Sequence, residues 1–174
     1  EAARACQDPA AAASALISFA HLALRDGSPA EADLCIERAR RWIEQTHDPL
    51  TKGAHLAVQA LLARRKGEPD NAVEHLEQCI ALGEKLGDRW SVARCLYLLG
   101  RLAAERGDHH EARSLMGEAL SVFTELAASP AAARCARSLG RLQLAAGRVL
   151  EARTSLSTCL RVSFASGQRL AVAR

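Results

Sequence analysis

Residues 99–120 read "LGRLAAERGDHHEARSLMGEAL", and the fold can be argued outward from the glycine at position 107. Glycine recurs at Gly27, Gly67, Gly107 and Gly147, a constant spacing of 40 residues. Five residues before each stands leucine (Leu22, Leu62, Leu102, Leu142), and five after each stands alanine (Ala32, Ala72, Ala112, Ala152). Seven before, only Ala20, Ala60, Gly100 and Gly140 occur. Nine after come Ile36, Leu76, Met116 and Leu156, and twelve after come Ala39, Cys79, Ala119 and Cys159. Columns aligned in this way across four copies define an internal repeat, which outranks every local signal in deciding architecture.

Each unit is predicted to be two helices. Leu96, Leu99, Gly100 and Ala103 follow the i, i+3, i+4, i+7 spacing of one helix face, and Ala112, Leu115, Met116 and Ala119 do so after the glycine. A mid-helix glycine costs about 1 kcal/mol relative to alanine. Its recurrence at Gly100 and Gly140 therefore predicts helices too close for a side chain, with alanine expected to be tolerated because two copies already carry it. Cys79 and Cys159 share a column with Ala39 and Ala119, so they read as small buried hydrophobes. A catalytic or metal role is the weaker reading of any cysteine here.

Composition agrees with a helical chain. Of 174 residues, 49% are hydrophobic but only 3% aromatic, so alanine and leucine carry the packing. Six cysteines are spread without a C-x-x-C pair, which fits reduced thiols and a cytoplasmic location better than a disulfide framework. No apolar run approaches the ~18 residues of a membrane span, and no signal-peptide pattern is present. No membrane partner is expected. Arginine supplies nearly all positive charge, with lysine only at Lys52, Lys66 and Lys85; together with the alanine content this points to a high-GC bacterial genome.

The pair His109-His110 followed by Glu111 invites a metal reading. Neighbouring helix positions do not share a face, so the two histidines cannot converge on one ion and are expected to face solvent. Asp108 is expected to cap the following helix, with Glu111 reaching back from the third position. Ser28-Pro29-Ala30-Glu31 reads as a capping box with proline in the first turn.

These columns resemble the tetratricopeptide repeat (TPR), whose pattern of a small residue, a turn glycine, then alanine, an apolar residue and alanine is present in all four copies. Two features depart from it. The period is 40 rather than about 34, and Glu44, Glu84, Thr124 and Phe164 stand where the family often has proline. Such 40-residue units are similar to the TPR arrays of bacterial ATP-dependent transcription regulators of the MalT and LuxR-like types. Residues 84–112 ("EKLGDRWSVARCLYLLGRLAAERGDHHEA") and 61–88 carry that resemblance.

It implies an all-α, right-handed superhelical solenoid of antiparallel helix pairs. Junctions recur at Gln7-Asp8-Pro9, His47-Asp48-Pro49, Gly87-Asp88-Arg89, Ala127-Ala128-Ser129 and Gly167-Gln168-Arg169. The expected organisation is one domain over 1–174, cut from a longer array. Residues 1–7 end a preceding second helix, repeats occupy 8–47, 48–87, 88–127 and 128–167, and 168–174 begin a fifth first helix.

No phosphate-binding loop, nucleophile elbow or helical zinc spacing occurs. Nothing in the sequence supports an enzyme, and no catalytic, cofactor or metal residues are expected. The resemblance implies that first helices line a concave groove. First helices are rich in arginine, second helices in acids, and Arg94 with Arg134 and Arg174, and Arg101 with Arg141, form columns 40 residues apart. The groove positions map onto His21, Arg64, Arg94, Tyr97, Arg101, Arg134, Arg137 and Arg141, with Leu24 and Leu61 in corresponding places.

One reading is a basic groove for an acidic peptide or protein, a small carboxylate ligand, or a neighbouring domain of the parent chain. The other is that these arginines solvate an exposed face or pair with glutamates of adjacent helices. Nucleic acid is disfavoured, because Tyr97 is the one stacking aromatic on these faces apart from Trp90 at a helix start. Self-association through cut repeat ends is a further expectation. The implied role is the sensing segment of a bacterial transcription regulator; the alternative is a free-standing adaptor bridging protein partners.

Overall fold

The computed structural model describes residues 8–165. Residues 1–7 and 168–174, expected to be parts of flanking helices, lie outside the described residues, as do Cys6 and Arg174. The described residues form eight consecutive helices and no strand: α1 (Pro9–Asp26), α2 (Pro29–Thr46), α3 (Pro49–Lys66), α4 (Pro69–Leu86), α5 (Arg89–Glu105), α6 (His109–Glu125), α7 (Ser129–Ala145) and α8 (Val149–Ala165). The architecture is all-α, with each odd-numbered helix packed on the even one that follows it.

The 40-residue glycine column falls at the turn inside each pair. Gly27, Gly67, Gly107 and Gly147 all have φ between 71° and 87°, a left-handed backbone that costs a side-chain-bearing residue roughly 1–2 kcal/mol. This turn also redirects the capping chemistry. The Ser28 N–H donates to the Ala23 carbonyl and the Asp108 N–H to the Ala103 carbonyl, closing the preceding helix. Those donors are no longer available to Glu31 or Glu111, so neither capping box forms. Ser28 makes no side-chain cap at all, whereas Asp108 Oδ1 accepts from the Glu111 N–H at 2.9 Å.

Aspartates cap several odd-numbered helices too. Asp8 accepts from the Ala10 N–H, Asp48 from the Leu50 and Thr51 N–H groups, and Asp88 from the Ser91 N–H. Asp48 also accepts from the Thr51 hydroxyl, and this bond, followed by the backbone donors, holds its carboxyl below the usual value. Prolines 9 and 49 occupy the first turn, where the missing N–H is not needed.

Contacts divide the chain into two compact units at the Leu86–Gly87 boundary. In the first, Ile17, Ala20, Leu24, Ala32, Ile36, Ala39, Val58 and Leu62 form one buried cluster across α1, α2 and α3. Leu22 shares a column with Leu62 yet is 49% exposed, whereas Leu62 is buried in this cluster. In the second unit Phe123, Cys135, Ala136 and Ala152 are almost completely buried. The small-residue column is tighter here than expected. A Cβ on Gly100 would lie 2.8 Å from Met116 Cγ and 3.1 Å from the Ala112 carbonyl oxygen, and one on Gly140 would lie 2.7 Å from Leu156 Cγ. Alanine is therefore not a free substitute at either glycine, although Ala20 and Ala60 fit the same column in the first unit.

The buried cysteines behave as packing atoms. Cys79 Sγ donates to the Gly53 carbonyl and Cys135 Sγ to the Met116 carbonyl, at 3.3 and 3.1 Å. Burial pushes the Cys135 thiol up to about 12, far from a reactive thiolate.

Candidate functional site

In the second unit, α5 and α7 touch at only a few points and leave a hollow of about 560 Å³ between them. Helical spacing sets its walls. On α5, Tyr97, Arg101 and Glu105 recur at intervals of four and so share a face; on α7, Arg137 and Arg141 do the same. Met116 and Leu142 supply the apolar part of the lining. The two walls are tied by the Tyr97 hydroxyl and Ser138 Oγ, 3.0 Å apart.

Three guanidinium groups therefore face one carboxylate. Arg101 lies 3.9 Å from Glu105 on its own helix, at the limit of an ion pair and with both side chains more than a third exposed. Among the described residues, Arg137 and Arg141 make no ion pair, and their charges remain available to an incoming anion. Arginine forks present planar, two-pronged donors that match a carboxylate.

The eight residues picked from the sequence do not all meet here. Tyr97, Arg101, Arg137 and Arg141 line the hollow. Arg94 is drawn over the Trp90 ring, 5.7 Å from its centroid, and Arg134 is exposed, and neither contributes to the lining. His21 and Arg64 belong to the first unit, His21 exposed and Arg64 half-buried, each with an interaction of its own. Lys66, another cation of the first helices, pairs at 2.8 Å with Asp33, which raises its pKa.

Ser138 was missed as a lining residue. Its column holds Ser18, Val58 and Leu98, so a hydroxyl shared with the first copy was the one available signal. Among second-helix cations, Arg113 is only 20% exposed and lies 4.0 Å from Glu151. His109 and His110 are exposed at the start of α6, and no group of three metal-type donors converges among the described residues. None of the described helices is long and apolar enough to cross a membrane.

Comparison with known proteins bears on the fold. The profile of the tetratricopeptide repeat matches residues 54–125 and 91–163. No curated protein sequence matches the chain. Among solved structures, aspartyl phosphate phosphatase F from Bacillus subtilis superposes with a TM-score of 0.86 at 14% identity, over 96% of this chain and 44% of that one. BtubC from P. vanneervenii gives 0.74 at 18% identity, over 94% of this chain and 76% of that one. A signal transduction ATPase with numerous domains and a tetratricopeptide repeat sensor, from Pyrococcus horikoshii, gives 0.73 at 13% identity, over 94% of this chain and 26% of that one. This chain thus spans less than half of the first and about a quarter of the last. At these identities the likeness is one of fold. With the family profile covering well over half of its length, the chain belongs to the tetratricopeptide repeat family.

Proposed function

We propose that this segment is a non-catalytic binding module whose α5–α7 hollow takes an acidic peptide, and that it serves as the sensing region of a bacterial ATP-dependent transcription regulator. Tetratricopeptide repeats are protein-interaction scaffolds, which supplies the class of partner. The observation that carries the acidic preference is the hollow's charge: Arg101, Arg137 and Arg141 against Glu105 alone. Support for the regulator reading comes from the 40-residue units of residues 61–112. The sensor role printed for the Pyrococcus neighbour adds to it. The adaptor reading shares the same hollow and differs only in what the parent chain carries around it.

Two measurements test the proposal. Titration of a glutamate-rich peptide into the protein should give binding that weakens steeply with salt, because attraction is screened over about 8 Å at physiological ionic strength. Binding that ignores salt contradicts the basic-groove reading. The parent sequence on either side decides between the roles. A nucleotide-binding domain upstream and a helix-turn-helix downstream support the regulator; their absence favours the adaptor.

A further inference from the structure

The outer face of α8 differs in charge from the equivalent faces of the other second helices. The column that holds Glu37 on α2, Glu77 on α4 and Gly117 on α6 holds Ser157 on α8. The column of Glu44, Glu84 and Thr124 ends in Phe164, and that of Leu34, Glu74 and Ser114 ends in Thr154. Beyond Glu151 in its first turn α8 carries no acid, and its cations are Arg153 and Arg161. Glu151 is engaged by Arg148 at 3.0 Å and lies 4.0 Å from Arg113. Arg153 and Arg161 are exposed, and among the described residues neither makes an ion pair.

These two arginines, with Thr154, Ser157 and Thr158, line one open hollow of about 440 Å³. Arg153, Ser157 and Arg161 recur at intervals of four and share a face, each arginine about 6 Å along the axis from Ser157. Both long side chains can therefore close on one group held above Ser157. Thr154 and Thr158 donate their hydroxyls to the carbonyls of Leu150 and Thr154, whereas the Ser157 hydroxyl is unengaged among the described residues. Two guanidinium forks and a free hydroxyl match the three terminal oxygens and near-double charge of a phosphate monoester better than the two oxygens of a carboxylate.

We propose that α8 carries a docking site for a phosphorylated peptide, whose phosphate is held by Arg153, Ser157 and Arg161. Leu150 and Phe164, 73% and 66% exposed, stand seven residues to either side of Ser157 on the same face and receive apolar side chains flanking the phosphate. A membrane surface fits less well. An interfacial helix sinks a continuous apolar face into the bilayer. On α8, cations and hydroxyls lie between two apolar residues roughly 21 Å apart along the axis.

The α8 site does not depend on the α5–α7 hollow, and fluorescence anisotropy keeps the two apart. A labelled peptide with one phosphoserine flanked by leucines would be compared with its glutamate form. The phosphorylated form should bind about tenfold more tightly. Arg161→Glu should reduce it to the affinity of the glutamate form, which has only the α5–α7 hollow, and Ser157→Ala should remove part of the difference. Arg41→Glu, at the position of Arg161 on α2, should leave the difference intact. Equal affinity of the two peptide forms overturns the phosphate class. An advantage that survives Arg161→Glu places the phosphate elsewhere and overturns the site. Displacement by an equal concentration of inorganic phosphate, or tighter binding to vesicles containing phosphatidic acid, overturns the peptide as its source.

Discussion

At the scale of single residues, the sign of a substitution follows from the space around it. Gly100 and Gly117 sit on a packed pair of helices, yet a Cβ at Gly100 meets Met116 and the Ala112 carbonyl while one at Gly117 meets nothing within 4 Å. Gly117→Ala should therefore stabilise the protein by about 1 kcal/mol through helix propensity alone. Gly100→Ala should lose that gain to overpacking and destabilise by about 1 kcal/mol net, and Gly100→Leu by about 3 kcal/mol. Thermal midpoints of the three variants check the order. A second residue effect is pH dependence. His55 is 7% exposed, and burial, then the charges of His75 and Arg40, lower its pKa from 6.5 to about 4. Among the described residues, Nδ1 of both His55 and His75 is buried without a hydrogen-bond partner. The unfolded chain thus binds a proton that the folded one refuses, so stability is complete above pH 6.5 and falls as pH drops toward 4. The loss is roughly 3 kcal/mol at most. Cys95 and Cys135 occupy the same column, so His55→Cys should fold and abolish this slope in denaturant titrations run between pH 4 and 7.

At the scale of elements, the repeat made the helices legible and left their ends less so. Hydrophobic columns spaced by 40 identify which residues face inward and where each intra-pair turn falls, because burial and left-handed glycine recur with the architecture. The caps were harder to read, because which donor reaches which acceptor depends on how the previous helix closes. Ser28 looked like a cap and is not one, while Asp48, visible only as junction punctuation, accepts three hydrogen bonds. Asp48→Ala should accordingly cost about 1 kcal/mol, and Ser28→Ala a few tenths at most. The junctions offer a converse test. Ala127 holds φ at 52° where Gly87 stands in the previous copy, so Ala127→Gly should gain up to about 1 kcal/mol by removing left-handed strain. Chemical denaturation of these variants measures all three differences.

At the scale of the whole molecule, four of the eight residues picked from the sequence line the candidate hollow. The Arg101–Arg141 column announced itself through duplication, and helical spacing added Tyr97 and Arg137. What remained hidden depends on side-chain direction rather than position: Arg94 turns onto Trp90, Arg101 has Glu105 beside it, and Ser138 reaches across to Tyr97. The surface also carries apolar residues that a lone copy leaves in water. Leu144, Val149 and Leu150 cluster at the α7–α8 turn at 48%, 62% and 73% exposure. The protein should self-associate at high concentration, and Val149→Ser with Leu150→Ser should reduce this in light scattering without lowering the thermal midpoint. Charge reversal on and off the α5–α7 hollow tests whether it is a basic peptide site. Anisotropy with one glutamate-rich peptide would compare the parent protein, Arg141→Glu, and Arg153→Glu on the exposed face of α8. Binding should be roughly tenfold weaker for Arg141→Glu and little changed for Arg153→Glu, with thermal midpoints alike. Equal loss in both variants, or none in either, would contradict it.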